Sequence, residues 1–563
     1  MRFSNWEIGN FNRATAVDFC HQGINPLVSV LLTSRGVSNI EEVRAILGDK
    51  PANFHDPFLM SDMDKAVSRI NAAIKNGERI AIYGDYDVDG MTSCALLTIW
   101  LRSKKADYET YIPGRFGEGY GLNRNALDHL KARGIGLVIT VDCGITAIEE
   151  AAHAKSIGLG LVITDHHECR SELPVADAVV DPKRPDCNYP NKVLAGVGVA
   201  FKLVCALEGL TDYNEMLQHY SDFVAIGTIA DVMPVLGENR ELIRRGLHIL
   251  NNEPRPGLLR LLQEVGVELG KVTSATIGFT LAPRLNAAGR MGKPELSVEL
   301  LLTNSFKEAD KLTSELCRLN AERRVLESEI FEEAKAMLPE SWLSGPIVLA
   351  RNGWFQGVTG IVAAKMAERY LVPAIIISIG EDGIGRGSCR SYGTFGLYDA
   401  LRSCEDILNN YGGHEMAAGV TIAESNIDEL RRRIVSYYRS SIESAPKPGL
   451  FPDFEVEKPE LLTVENIQAL ERLEPFGSGN PPPCLYIKGA ILTAVFPIGA
   501  GKHTRLRIEK ADMNLDCVFF SMPFEDLGVS EGMLVDVAFE PQINDFRGRC
   551  SVQLNMIDIR ASV

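Results

Sequence analysis

Between Arg79 and Val180 the chain switches repeatedly between two hydrophobic patterns. RIAIYG (79–84), DYETYI (107–112), GLVITV (136–141), GLVIT (160–164) and AVV (178–180) are short and mostly continuous apolar runs rich in β-branched residues. Continuous rather than alternating hydrophobicity predicts strands covered on both faces. Stretches of helical period, such as MTSCALLTIWLRS, separate these runs. Strand and helix in strict alternation predict a parallel sheet with helices on both faces. A long polar helix is expected from Ser305 to Met337, and a second α/β pattern follows it: GPIVLA (345–350), a helix through Gly360 to Arg369, and VPAIIISI (372–379).

The two ends read differently. Residues 1–50 look helical and carry no chemical cluster. SAPKPGLFPDFEVEKPE (444–460) holds Pro446, Pro448, Pro452 and Pro459, a density that predicts a linker. LYIKGAILTAVF, HTRLRIEK, MNLDCVFF, MLVDVAFE and CSVQLNMIDI then repeat strand-like runs between turns, which suits a small β-barrel. The expected organisation is a helical segment (1–50), a first α/β domain (51–304), a connecting helix (305–340), a second α/β domain (341–445) and a barrel (446–563). The fold class is α/β with an added barrel.

At 563 residues, several domains are the natural expectation. No apolar run is long enough to cross a bilayer, and MRFSNWEIGNFNR lacks a signal-type apolar core, so a cytoplasmic protein without a membrane role is expected. The twelve cysteines are scattered without a C-x-x-C pair, which favours structural thiols over disulfides or a zinc knuckle. The net charge of −16 disfavours a nucleic-acid partner unless bound cations reverse the local field.

That exception has candidates. In a doubly wound sheet, ligands bind beyond the carboxyl ends of the strands. GDYDVDG places Asp85, Asp87 and Asp89 there, VDCG adds Asp142, and TDHHE adds Asp165, His166 and His167; IGTIADVMP brings Asp231 at the end of an apolar helix. So many carboxylates cannot share a site ionised without a cation. Two divalent ions answer this, and oxygen ligands with one or two imidazoles suit Mn²⁺ or Mg²⁺, with zinc not excluded on chemistry alone. Taken singly, the aspartates of DYDVDG suit a calcium loop, although no Glu closes a twelve-residue loop. Arg386, Ser388 and Arg390 in GIGRGSCRS are read as a phosphate-holding set on a Gly-rich loop. Arg115, Arg284 and Arg290 are further substrate-binding candidates; for Arg284 a carboxylate partner in the first domain is an even alternative.

DYDVDG, VDCGI, TDHHE and IGTIADVMP, in this order, resemble the four motifs of the DHH phosphoesterase superfamily. PGRFGEGYGLN, LAGVGVAFKL, GENRELIRRG and LAPRLNAAGRMG resemble its branch of bacterial single-strand-specific DNA exonucleases. YGGHEMAAG (411–419) resembles the GGH signature of the associated DHHA-type domain, and LEPFGSGNPPP (473–483) the start of an oligonucleotide-binding barrel. The resemblance implies a metal-dependent enzyme that removes nucleotides from the 5′ end of single-stranded DNA in recombination and repair. The alternative within the superfamily is a phosphodiesterase of short oligoribonucleotides or cyclic dinucleotides, which would lack the barrel. A silent DNA-fork scaffold is a third class, expected to have lost ligands.

By position, the resemblance implies that Asp85 and Asp87 face one metal and Asp89 the other. Asp142 would bridge them, and His166 and Asp231 would complete the second site. Asp87, Asp89, Asp142, His166 and His167 would carry catalysis, with His167 on the substrate phosphate and Asp165 orienting its neighbours. His414 would touch substrate. Tyr83 stands where some relatives carry a metal-binding His, and Phe355 where many carry His, so neither receives a role. Lys488, Lys502, His503, Arg505, Arg507, Arg547, Arg549 and Phe546 form a basic and aromatic set in the barrel. Its bland reading is a solvated face, and the resemblance favours single-stranded DNA. A single-strand-binding protein and a helicase are implied partners.

Overall fold

The protein is described here by a computed structural model covering all residues except 1, 2, 4, 50–53, 115–120, 210–211, 339–344, 442–448, 547–548 and 563; Phe546 and Arg549 are described by backbone alone. The chain forms two compact units. One comprises Met1–Phe54, Pro234–Glu241 and Lys447–Val563; the other comprises His55–Met233 and Leu242–Pro446.

In the second unit, the five expected runs form one parallel sheet. Its order is Tyr108–Tyr111, Ile80–Gly84, Leu137–Val141, Gly160–Thr164, Ala178–Val180. Ile80–Gly84 and Leu137–Val141 are buried at every position, which is why they read as unbroken apolar runs. The helix Val88–Ser103 packs on Ile80–Gly84 and on the helices Gly196–Glu208 and Asn214–Ala230. Covered on several sides, it is apolar nearly all round rather than amphipathic.

A second sheet in this unit runs Leu408–Gly413, Ala417–Ala423, Ile384–Arg390, Ala374–Ile379, Ile347–Asn352, with only the last pair parallel. The Gly-rich loop expected at 383–391 is therefore largely a strand. A Cβ on Gly385 would lie 2.7 Å from Ile377 Cγ2, and one on Gly387 2.8 Å from Ile377 Cγ1. These glycines make room for neighbouring apolar side chains, a strand use that composition disguised as a loop. The helix Phe306–Ala336, capped by Ser305, packs against Pro256–Glu264, Ala282–Arg290 and Glu295–Leu302 and also against Gln356–Tyr370 beside the second sheet.

In the first unit, Leu485–Ile498, His503–Lys510, Met513–Phe519, Arg549–Ala561 and Leu534–Phe546 close into a barrel because the first strand also pairs with the last. The linker reading holds only in part. Gly449–Leu450 pairs with Asn5–Trp6, and Phe454–Glu455 adds to Leu485–Ile498 with Phe454 buried. Pro452 falls between these short strands and Pro459 begins a 3₁₀ turn, so neither breaks a ladder. The helices Arg13–His21, Pro26–Ser34 and Ile40–Leu47 share the barrel's core: Phe19, Leu27, Leu31 and Val43 join Leu485, Leu506 and Phe539. Among the described residues no helix is long and apolar enough to cross a membrane, and all twelve cysteines are free.

Candidate metal centre

Four chain segments deliver the acidic and imidazole groups to one place. Asp85, Asp87 and Asp142 form one cluster, Asp89, His166 and Asp231 a second, and Asp142, Asp165, His166 and His167 a third; within each, the donor atoms lie within 4.8 Å of one another. His166 Nε2 is 3.0 Å from Asp142 Oδ1, 3.6 Å from Asp231 Oδ2 and 3.8 Å from Asp89 Oδ2. Asp142 thus belongs to the groups on either side of it.

Local structure fixes each group. Asp87 caps the helix Val88–Ser103, its carboxylate accepting from Gly90 N, which is a helix start and not a calcium loop. Asp89, two residues on, accepts from the amides of Gly196 (2.6 Å) and Val197 (2.8 Å), the first amides of a helix and a favourable seat for an anion. Asp142 adopts φ +61°, a left-handed conformation Asp tolerates better than most residues, and Gly196 leaves it space: a Cβ there would sit 2.6 Å from Asp142 Cβ. Asp165 accepts from Ile145 N, His166 N, His167 N and His167 Nδ1, so it orients the His167 imidazole and pins the backbone that carries His166. Asp231 ends the helix Asn214–Ala230, and the next residue, Val232, holds φ +57° while Met233 N bonds back to Thr228 O. That turn normally takes glycine.

The electrostatics demand a cation. Burial and the carboxylates of Asp231 and Asp87 push Asp89 well above the usual range; burial and Asp89, Asp87 and Asp85 do the same to Asp142. Burial and Asp87 lift Asp231 to about 7. Asp142 Oδ1 and His166 Nε2 are buried and make no aligned hydrogen bond despite lying 3.0 Å apart, the relation expected of two ligands to one ion. Burial and the neighbouring His167 depress His166 to about 3, so its ring is neutral and free to ligate. Oxygen donors with one or two imidazoles fit Mn²⁺ or Mg²⁺.

Sequence reasoning missed three groups here. Asn286 Oδ1 accepts from Val88 N at 3.1 Å, and Gly289 lets its helix approach so closely that a Cβ would lie 2.0 Å from Tyr86 O. LAPRLNAAGRMG is thus a brace for the DYDVDG loop as well as a source of arginines; the Asn and Gly at helical spacing were the available signal. Asp181, wholly buried after the last strand, accepts from Lys183 N through Oδ1 while its Oδ2 makes no hydrogen bond.

The remaining candidates divide. Arg284 Nη1 donates to Thr280 O, and among the described residues no carboxylate pairs with it, against the alternative of a first-domain ion pair. Arg290 Nη1 donates to Gly357 O, tying the first α/β region to the second. Arg386, Ser388 and Arg390 alternate along one strand and share a face. There Arg386 pairs with Asp382, Ser388 meets Thr359 Oγ1 at 3.1 Å, and Gly360 opens space beside Ser388 and Arg390. His414 is exposed at the hairpin between Leu408–Gly413 and Ala417–Ala423, where Gly412 and Gly413 end the first strand and pair with Gly419 and Ala418. Arg115 lies outside the described residues. Tyr83 is buried, donates to Gly121 O and stacks on Tyr111, away from any ligand role; Phe355 packs under the helix Gln356–Tyr370. In the barrel, Arg505 and Arg507 lie exposed beside Asp516, His503 Nδ1 accepts from Ser521 N, and Arg547 and the side chains of Phe546 and Arg549 lie outside the described residues.

Three family models match: DHH family, N-terminal domain (79–228), DHHA1 domain (344–440) and RecJ OB domain (453–558). The single-stranded-DNA-specific exonuclease RecJ of Bacillus subtilis is 41% identical over 99% of this chain and 71% of its own length. That of Salmonella typhimurium is 34% identical over 95% and 96% respectively. RecJ from Thermus thermophilus, solved with Mn²⁺, superposes with a TM-score of 0.84 at 30% identity, covering 99% of this chain and 80% of that one; the same protein solved with Mg²⁺ gives 0.79 at 29% identity, covering 99% and 79%. With these adjoining acidic and imidazole clusters and this likeness along almost its entire length, the chain belongs to the RecJ family.

Proposed function

We infer that this chain is a divalent-metal-dependent exonuclease that hydrolyses single-stranded DNA from the 5′ end and releases 5′-mononucleotides. The observation that carries the inference is Asp142, a member of two adjoining ligand clusters, in a chain whose relatives over its full length are named single-stranded-DNA-specific exonucleases. The barrel weighs against an oligoribonucleotide or cyclic-dinucleotide phosphodiesterase, and the complete set of acids weighs against a silent scaffold.

Asp85, Asp87 and Asp142 are proposed to hold one ion, and Asp89, Asp142, His166 and Asp231 the other. When bound, Mn²⁺ or Mg²⁺ ions supply positive charge for the scissile phosphate and lower the pKa of an attacking water. The residues do the rest. Asp165 fixes His167, whose imidazolium donates to a phosphate oxygen. Asn286 and Gly289 hold the DYDVDG loop in register. Ser388 and Arg390, with Arg284, Arg290, Arg386, Arg115 and His414, are proposed to hold the backbone and terminal phosphate of the strand. The domains are proposed to follow 1–50, 51–304, 305–340, 341–445 and 446–563. A single-strand-binding protein and a helicase are proposed partners, and the cytoplasm the proposed location.

Incubating the protein with Mn²⁺ and end-labelled single strands tests the reading. Shortening from the 5′ end with mononucleotide release is expected. Unchanged DNA, with short RNA consumed instead, overturns it; equal digestion of blunt duplex overturns the strand selectivity.

A further inference from the structure

Ile277–Leu281 forms a single π-helical turn wedged between Ser274–Thr276 and the helix Ala282–Arg290. Isolated π turns cost hydrogen-bond geometry and occur frequently at functional sites. Its central residue, Phe279, is 85% exposed, the most exposed large hydrophobic side chain among the described residues. A phenyl ring in water is apolar surface that a stacked base would bury.

The neighbourhood says which occupant. The turn packs on the helix Asn214–Ala230, where the Cβ position of Gly278 lies 3.5 Å from Ile229 Cγ2, two residues before the ligand Asp231. Val232, next in the chain, is itself 70% exposed. One residue on from Phe279, Thr280 O accepts from Arg284 Nη1. The turn that carries the exposed ring thus adjoins the helix that ends at the ligand Asp231 and the helix that carries Arg284, a guanidinium suited to phosphate.

We propose that Phe279 is a positioning residue on which a nucleobase of the single strand stacks beside the metal centre. This deepens the exonuclease reading and rests on it. Backbone groups hold phosphates but cannot fix a flexible strand's rotation about its own axis; a ring stacked on one base does, without sequence preference, because every base offers a π face.

The test uses the full chain, Mn²⁺ and 5′-phosphorylated single strands carrying one abasic site at successive positions from the 5′ end. In the native protein one position should raise KM about tenfold; Phe279→Ala should raise KM for intact DNA by a similar factor and become insensitive to the abasic site. As the ring is exposed, this substitution should leave the unfolding midpoint unchanged. An Asp142→Ala, Phe279→Trp protein should show indole quenching on binding oligothymidylate. Equal KM for native and Phe279→Ala proteins, an undiminished abasic penalty in the variant, or unquenched fluorescence overturns the assignment. Native protein that shortens no single strand overturns the exonuclease reading instead.

Discussion

Asp165 Oδ1 accepts from His167 Nδ1 at 2.7 Å while the same carboxylate takes the amides of His166, His167 and Ile145. One buried side chain therefore fixes the imidazole of His167 and the backbone of His166 beside it. Burial alone would lower the pKa of His167, but the Asp165 hydrogen bond and charge hold it at about 9. Asp165→Asn should reduce kcat/KM by about 10–100-fold, the range seen when a ligand's supporting partner is removed. The sign of the pH effect follows from the raised value: the imidazolium persists through neutrality and is lost as pH rises through about 9, so the alkaline limb of the native pH–rate profile should move to lower pH in the variant.

Asp142 is expected to matter in opposite directions with and without metal. In metal-free protein its charge is opposed by burial and by Asp89, Asp87 and Asp85, so Asp142→Asn should raise the thermal midpoint. Saturating Mn²⁺ should stabilise the native chain by about 2.7 kcal/mol at one hundred times Kd and the variant far less. Cleavage should vanish while DNA retention in a mobility-shift experiment largely survives.

Gly289→Ala places a methyl 2.0 Å from Tyr86 O. The helix must retreat, and the loop bearing Asp85 and Asp87 moves with it. A fall in kcat of at least tenfold is expected, with about 1–3 kcal/mol of lost stability from overpacking. Serine at this position should fail equally, because the obstacle is backbone.

Val232 occupies a left-handed position that disfavours a β-branched side chain, and it is 70% exposed. Glycine relieves that conformation at some cost in unfolded-chain entropy, for a net gain of about 0.5–1 kcal/mol. Denaturant titration of Val232→Gly should show a raised midpoint and an unchanged slope.

Asp181 is lifted from 3.8 to about 8, first by burial and then by Asp165. Its folded form keeps a proton that the unfolded chain releases, so this stabilisation is complete below the unfolded value and is lost as pH rises to about 8. Asp181→Asn retains an acceptor for Lys183 N and should flatten the decline in melting temperature between roughly pH 5 and 8.

Much of the parallel sheet was legible because its strands are buried on both faces and short, leaving runs such as LVITV that no surface element produces. The ligand clusters were legible because sheet topology sends every strand's carboxyl end to one edge. Ile384–Arg390 was hidden because glycines there serve side-chain crowding, which depends on Ile377 and Val420 from other strands. The bracing by Asn286 and Gly289 was hidden for a related reason: a backbone approach across some two hundred residues leaves no local pattern. The fate of 449–460 turned on partners at Asn5 and Leu485, distant in sequence.

The core shared by Leu27, Leu31 and Val43 with Leu485 and Phe539 has a consequence for biosynthesis. The opening helices leave the ribosome roughly 400 residues before the strands that cover them, which at about 5–20 residues per second is a delay of tens of seconds. Throughout that interval a nascent chain carries a greasy stripe with no cover, a natural seat for a holdase. Slowing translation should therefore increase aggregation of this polypeptide, and grafting those helices onto the carboxyl terminus should relieve it.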